Sequence, residues 1–342
     1  MSGTNATSPP RSPWQRLYGA VLAARRRRLA AAAERLPVPV VSIGNLHWGG
    51  GGKTPFTLAV ARRLAADGRR VAVLSRGYRR SSRGALVVSR GRGPEVGVAA
   101  AGDEPFLIAA EAPGVAVVVA ERRIEAGRLA LALDPAPELL LLDDGFSHAA
   151  LARDLDLLLF PAADPFAGSR LLPSGRLREP LAAVVAADAV ILTGAPSVAE
   201  GAGAQLAASL VPFGFGGPGF ASATLAGTPV DGDGRELAPG TRAFAVAAIA
   251  RPERFFAAAR SSGLEIVGEE ARRDHDPYPA GALARIERRA EAAGAAALLV
   301  TAKDRAKLAG RTRLPLAVLP IEACPEPAFW SWLDQRLRGL RP

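Results

Sequence analysis

Apolar and polar positions alternate along the chain in blocks that define its elements. From Trp14 the apolar residues Trp14, Leu17, Tyr18, Val21 and Leu22 recur at the spacing of one helix face, flanked by Arg16 and Arg25 to Arg28. Such a helix either packs on its own domain or lies at a membrane surface, aromatics at the headgroups and arginines on anionic lipid. Val38 to Ile43 is a mostly β-branched run suited to a buried strand. A glycine-rich loop, a helix over 54–66, an Asp67-Gly68 stop and a strand over 71–74 follow, so the pattern predicts a βαβ unit with parallel strands. Further short apolar runs at 85–88, 115–119, 139–142, 155–160 and 189–192 extend it into an open α/β sheet, whose ligands bind beyond the carboxyl ends of the strands.

The segment 212–219, PFGFGGPG, reads as a linker or tight turn run. Strands are expected at 220–225, 243–248, near Ile266, at 297–301 and at 316–319, with helices over 252–262 and 329–340. The expected organisation is a disordered tail at 1–12, an α/β domain at 13–212 with a mainly parallel sheet between helices, and a smaller α/β domain at 213–342. No run of 18 apolar residues lacks charge, so no membrane-spanning helix is expected. A signal peptide is not expected either, because arginines follow the first apolar stretch directly.

Composition changes this picture at one point. Of 43 basic residues only three are lysines, Lys53, Lys303 and Lys307, and the chain has three histidines, His47, His148 and His275. Arginine serves wherever any positive charge suffices, so these six positions are more informative than usual. The formal charge of +10 suggests an anionic partner: nucleic acid, a phospholipid surface or a phosphorylated substrate. A single cysteine, Cys324, excludes a disulfide framework and a multi-cysteine zinc site.

Gly49, Gly50, Gly51, Gly52, Lys53 and Thr54 lie between the first strand and its helix. Backbone N–H groups of such a loop cradle phosphates. Lys53 would reach the β- and γ-phosphates and the Thr54 hydroxyl would bind Mg²⁺. His47 stands where the strict pattern has glycine, so the match is incomplete. The apolar run 139–142 ends in Asp143 and Asp144, the acidic strand end of a phosphate-loop protein, with Asp143 the expected metal position. Spacing argues against guanine specificity: Gly145 is one place early for Asp-x-x-Gly, and in Thr301-Ala302-Lys303-Asp304 the lysine is one place late for guanine reading. Asp103 before a helix reads equally as an N-cap, and Asp274-His275-Asp276 as a surface turn.

Taken together and in order, eight segments resemble the tetraacyldisaccharide 4′-kinases, the lipid A 4′-kinases: 38–55 (VPVVSIGNLHWGGGGKTP), 74–78 (LSRGY), 102–105 (GDEP), 141–148 (LLDDGFSH), 171–180 (LLPSGRLREP), 251–256 (RPERFF), 274–278 (DHDPY) and 301–308 (TAKDRAKL). The resemblance implies two α/β lobes and transfer of the ATP γ-phosphoryl group to the 4′-hydroxyl of an acylated glucosamine disaccharide 1-phosphate. It implies ATP and Mg²⁺ as cofactors and a peripheral site at the cytoplasmic face of the inner membrane. Neither a nucleic acid nor a protein partner is expected. Carried over by position, Lys53 and Thr54 match the phosphate loop and Asp143 and Asp144 the acidic strand end. Asp103 is implied to act with His275 on the acceptor hydroxyl, and Glu104, Arg122, Arg178 and Glu179 match further polar site positions.

The chain departs from the family pattern at His47 and Gly51 in the loop, at Ser147 (usually glutamine), at Ala248 and Ala250 (usually glycines), at Ala302 (usually glutamate) and at Asp276 (usually histidine). A second carboxylate at Asp276 is expected to raise the His275 pKa. The competing classes are another phosphate-loop enzyme such as a metal-insertion NTPase, a nucleic-acid binder using the net charge, and a structural membrane protein with a degenerate loop. Intact Lys53, Thr54 and Asp143 argue against the last, and the shortage of Cys and His against the first.

Overall fold

The structure is a computed structural model that describes residues 13–49, 52–195 and 197–340, without the side chains of 13–17 and 23. The expected tail at 1–12, Gly50 and Gly51 of the loop, and the Trp14 and Leu17 side chains lie outside this description.

In chain order the elements of the first part are α1 (Pro13–Ala31), β1 (Val40–Asn45), α2 (Lys53–Ala66), β2 (Val71–Ser75), β3 (Leu86–Arg90), α3 (Val98–Ala101), α4 (Asp103–Glu111), β4 (Ala116–Val119), α5 (Arg123–Leu131), β5 (Leu139–Asp143), β6 (Leu155–Pro161), β7 (Ala189–Ala195), α6 (Ala202–Leu210) and β8 (Gly219–Ala226). The remainder contains β9 (Arg242–Ala247), α7 (Pro252–Arg260), β10 (Glu265–Ala271), α8 (Ala280–Ala292), β11 (Ala297–Val300), α9 (Ala302–Leu308), β12 (Leu316–Val318), β13 (Ile321–Pro325) and α10 (Pro327–Gly339).

The large sheet has nine strands in the order β13-β8-β7-β6-β1-β5-β2-β4-β3. Its seven inner strands are parallel, and the edge strands β3 and β13 run antiparallel. Successive residues of a strand face opposite sides. Val41, Ile43, Leu139 and Leu141 accordingly join Phe56 and Leu64 of α2 in one core, while Val40, Leu140 and Leu142 join Ile124 and Ala126 of α5 on the other side. Both faces are covered, which is why the inner strands are continuous apolar runs rather than alternating ones. The second sheet, β10-β9-β11-β12, is wholly parallel.

The expected boundary at residue 213 does not follow the sheets. β8 pairs with β7 and β13 pairs with β8, so both belong to the large lobe. Helix α10 returns there as well, packing Phe329 edge-on against Phe56 at 5.3 Å and Phe220 at 5.6 Å. The segment 212–219 is not a linker: Phe215 is buried and Val190 N donates to Pro218 O at 3.1 Å. Glycine and proline there shape a tight entry into β8, a role that composition does not distinguish from a flexible joint. The second lobe is therefore an insertion between β8 and β13, and its strands fall within 242–318.

Among the described residues no helix is long and apolar enough to cross a membrane. Helix α1 lies on the large lobe through Gly19 beside Leu171, and through Arg26, whose guanidinium sits 4.0 Å from the Phe146 ring and 2.9 Å from Glu179. Tyr18 and Val21, two of the five apolar stripe residues read from the sequence, are 45% and 55% exposed. Tyr18 and Val21 thus reach solvent, Leu22 is half-buried, and Arg26 makes the contact with the body of the lobe.

Candidate active site

The site occupies the cleft between the lobes, at the carboxyl ends of β1, β5, β2 and β7, lined by Lys53, Thr54, Asp143, Asp144, Glu104 and His275 among others. The approach of β1 to the turn after β5 explains why glycine precedes and follows it. A Cβ on Gly44 would lie 2.5 Å from Phe146 Cβ, and one on Gly145 would lie 2.5 Å from Leu142 Cβ. Gly52 caps α2 with φ 74°, a left-handed conformation that side chains resist. The loop opens with Gly49 at φ 89°.

Lys53 begins α2, and its Nζ donates to Asn45 Oδ1 at 3.1 Å and lies 3.6 Å from Asp144 Oδ1. Arg178 grips Asp144 with both arms of its guanidinium, at 2.8 and 2.9 Å, and also donates to Asn45 Oδ1 at 2.5 Å. Its place is set by the backbone: Trp48 N donates to Arg176 O and Arg178 N to Leu46 O, both at 2.7 Å, so segment 176–178 runs zipped along the start of the loop. Burial raises the Asp144 pKa, but Lys53 and Arg178 outweigh it and hold this carboxyl well below its usual range.

Asp143 is the opposite case. It is 1% exposed, accepts hydrogen bonds from Thr57 Oγ1 and Ser75 Oγ at 3.3 Å each, and is pushed up to about 7 by burial and by the charges of Glu104 and Asp144. A carboxyl held near neutrality by its acidic neighbours gains from a cation that would favour its ionised form. Mg²⁺ is commonly held by one or two carboxylates plus phosphate oxygens and water. Asp143 and the Thr54 hydroxyl, on the same wall of the cleft, suit that role. No cluster of three or more His, Cys, Asp or Glu able to hold a metal occurs among the described residues.

Across the cleft Asp103 opens α4 and meets His275 of the second lobe, Nδ1 to Oδ2 at 2.9 Å. Lys307 Nζ lies 2.9 Å from the same oxygen. Burial opposes ionisation of Asp103, but His275, Lys307 and Lys303 together lower its pKa to about 2. Lys303 Nζ stands 3.4 Å from His275 Nε2 and 3.7 Å from both Glu104 Oε1 and Asp274 Oδ1.

The structure thus brings together Lys53, Thr54, Gly52, Asp143, Asp144, Glu104, Arg178, Asp103 and His275. Arg122 is not among them. It is 67% exposed and pairs with Glu125 and Glu34, because the chain is still extended at the cap of α5 and points it outward. Its neighbour Arg123 is the buried one, donating to Asp143 O at 3.4 Å, its pKa lowered to about 10 by burial. Glu179 accepts from Arg26 and Ser147 and ties α1 to the cleft wall. Asp276 does not face His275. Its carboxylate takes Arg272 at 2.9 Å and Tyr278 N at 2.6 Å, so the expected effect on the imidazole has no geometry behind it. His47 is buried against Phe160 and lowered to about 4 by burial, a neutral side chain behind the loop.

Sequence reasoning missed Asn45, Thr57 and Arg123, and gave Ser75 no role beyond its place after a strand. Thr57 follows Lys53 by four residues and so shares its helix face, a signal present in the spacing. Ser75 and Asn45 end strands, where open α/β sheets carry their ligand contacts. On the far side of the loop Arg254 donates to Gly194 O at 3.1 Å, and Arg251 beside it is held below its usual range by burial and by Arg254 and Arg176. Two neighbouring guanidiniums on the cleft lining suit a phosphate.

The model of the tetraacyldisaccharide-1-P 4′-kinase family matches residues 11–338. The tetraacyldisaccharide 4′-kinase of Pelobacter propionicus is 41% identical over 91% of this chain and 88% of its own length. That of Chromobacterium violaceum is 38% identical over 96% of this chain and 93% of its own. Among solved structures, LpxK from Aquifex aeolicus in complex with ATP superposes with a TM-score of 0.74 at 32% identity, covering 96% of this chain and 97% of that one. With its site geometry in place and the match running through both lobes, the chain belongs to the tetraacyldisaccharide-1-P 4′-kinase family.

Proposed function

We propose that this protein transfers the γ-phosphoryl group of ATP to the 4′-hydroxyl of a tetraacylated glucosamine disaccharide 1-phosphate, a late step of lipid A biosynthesis. The observation that carries the reading is the opposition of two halves across one cleft. Lys53, Asp143 and Asp144 stand at the phosphate loop, and the Asp103–His275 pair is assembled from both lobes.

Phosphoryl transfer passes through a loose transition state, so positioning and charge neutralisation do most of the work. Loop amides and Lys53 hold the phosphates, and Asp144, fixed by Arg178, orients Lys53. Asp143 and the Thr54 hydroxyl would hold Mg²⁺, which when bound would supply neutralisation of phosphate charge. Asp103 accepts the 4′-hydroxyl proton as that oxygen bonds to the γ-phosphorus and the bond to the ADP oxygen breaks, its electron pair leaving with ADP. A carboxylate near pKa 2 is a weak base. That suffices here, since a loose transition state leaves the hydroxyl proton largely in place until late, and the carboxylate's earlier task is to aim the hydroxyl. His275 holds it in that pose.

An acylated acceptor stays largely in the bilayer, and α1 supports delivery of the site to it. Tyr18 and Val21 point outward at one end, and Arg25 and Arg28 are exposed toward the other. This reading makes the protein peripheral at the cytoplasmic face of the inner membrane. Incubation with γ-labelled ATP, Mg²⁺ and the disaccharide 1-phosphate in detergent tests it. Label is expected on the lipid with wild type and absent with Lys53→Ala; equal transfer by both contradicts it.

A further inference from the structure

We infer that Lys307 is a positioning residue for the transfer: from the second lobe it fixes Asp103 through Oδ2, so that Oδ1 is the oxygen presented to the acceptor hydroxyl. The inference rests on the kinase reading above and concerns a side chain given no role there.

The local sequence places it. Thr301 caps α9 by accepting from Asp304 N at 3.1 Å. Asp304, fully buried, accepts from Thr301 Oγ1 at 2.8 Å and from Ala248 N at 3.0 Å, which pins α9 to the end of β9. Lys303 and Lys307 are four apart and share the helix face turned to the first turn of α4. Yet they sit differently. Lys303 hydrogen-bonds His275 Nε2 at 3.4 Å and pairs at 3.7 Å with Glu104 and Asp274. Lys307 has a side chain only 6% exposed, lies 5.9 Å from the Tyr278 ring centroid, donates to Asp276 O at 3.3 Å and meets Asp103 Oδ2 at 2.9 Å.

A desolvated ammonium goes where its partners are, because leaving it unpaired is costly. Asp304 Oδ1 at 3.6 Å and Asp103 Oδ2 are the two carboxylate oxygens it reaches. His275 Nδ1 and Lys307 Nζ converge on the same Asp103 oxygen, and among the described residues nothing hydrogen-bonds to Oδ1. With His275 alone the carboxylate can rotate about its hydrogen bond. With both donors Oδ2 is held at two points from the second lobe, which leaves Oδ1 as the oxygen available to the acceptor. The acceptor oxygen is therefore oriented when the second lobe is seated on α4.

The charged and titratable groups around this point are His275, Lys303, Glu104, Asp274, Asp304 and, against the imidazole ring, Tyr78. Lys307 favours the ionised form of Asp103. Its removal shifts that titration upward, a change that a simple loss of interlobe stability does not produce.

The experiment compares wild type, Lys307→Met, Lys307→Arg and Asp103→Asn in the label-transfer assay, with urea unfolding of each, and of Lys307→Met combined with Asp103→Asn, from pH 2.5 to pH 7. Lys307→Met is expected to lose about 10- to 100-fold in kcat, the scale of a misaimed reacting group, with KM for ATP within about threefold. The stability gap between Lys307→Met and its Asp103→Asn double variant varies less with pH below 4 than the gap between wild type and Asp103→Asn. Lys307→Arg retains the charge but not the geometry, and falls between the two in kcat. Folded Lys307→Met with kcat within twofold of wild type, or with lower kcat and a wild-type pH dependence of that gap, overturns the inference. Should Lys307→Met not fold, Lys307→Arg decides: kcat at least fivefold down at unchanged KM for ATP supports the inference, and wild-type kcat overturns it. Full activity of Asp103→Asn refutes the base itself, whereas an inactive Asp103→Asn beside a wild-type-like Lys307→Met removes only the role given to Lys307.

Discussion

Replacing Arg178 by lysine keeps the charge and removes the fork. Arg178 makes four hydrogen bonds to two residues: two to the Asp144 carboxylate at 2.8 and 2.9 Å, and two to Asn45, at Oδ1 (2.5 Å) and the carbonyl (3.1 Å). Both partners are the ones that hold Lys53 Nζ. A lysine ammonium is a compact point charge that cannot span both carboxylate oxygens and the amide together. At least two charge-assisted bonds are lost, each worth about 1.5–3 kcal/mol. Asp144 is 34% exposed, so water recovers part of this. A net loss of about 1.5–2.5 kcal/mol remains, which is roughly 10- to 70-fold in rate. The loss is expected in kcat more than in KM for ATP, because Lys53 meets more charge in the transition state than in bound ATP. Initial rates over a range of ATP concentrations, with a melting curve to establish folding, measure it. A folded Arg178→Lys variant within threefold of wild-type kcat/KM would show that Arg178 does not orient the lysine.

Three further outcomes follow from the same geometry. The depressed pKa of Asp103, about 2 against 3.8, contributes about 2 kcal/mol of stability at neutral pH. That contribution is present above the unfolded value and is lost as pH falls from about 4 toward 2. The stability gap between wild type and Asp103→Asn in urea should therefore shrink below pH 4, and a gap constant from pH 6 to pH 2.5 sinks the assignment. Gly52→Ala forces a side chain into φ 74° and sets its Cβ 3.3 Å from Thr193 Oγ1. It should cost about 1–2 kcal/mol in thermal or denaturant unfolding and weaken nucleotide binding in a titration, while unchanged values of both would contradict the loop assignment. Val21→Glu, on the exposed face of α1, should lower co-sedimentation with anionic vesicles and leave stability within about 0.5 kcal/mol. Undiminished sedimentation counts against a membrane-facing α1.

Much of the large lobe is legible in the chain because its signals are local. Buried parallel strands are continuous β-branched or leucine runs, and the phosphate loop announces itself by glycine, lysine and threonine between a strand and a helix. The lobe boundary is not local. Whether β8 and β13 join one sheet or the other is decided by pairing across about 100 residues of chain, and PFGFGGPG carries the same composition as a linker. The site divides the same way. Lys53 and Asp143 follow from strand ends, but Arg178 reaches Asp144 only because segment 176–178 pairs with 46–48. The choice between Arg122 and Arg123 turns on where α5 starts, and one residue there is about 100° of direction. Asp276 shows the limit of adjacency in sequence, since it neighbours His275 in the chain and turns to Arg272 instead.

The position of the transferred phosphate tests the account most directly. The product formed from ATP and the tetraacylated disaccharide 1-phosphate should carry one added phosphoryl group, located at the 4′-oxygen by ³¹P–¹H correlation. The 4′-deoxy acceptor should remain unlabelled, and Asp103→Asn should make little of the product. Phosphate on another hydroxyl, label on the 4′-deoxy acceptor, or release of γ-phosphate to water without lipid product would contradict it.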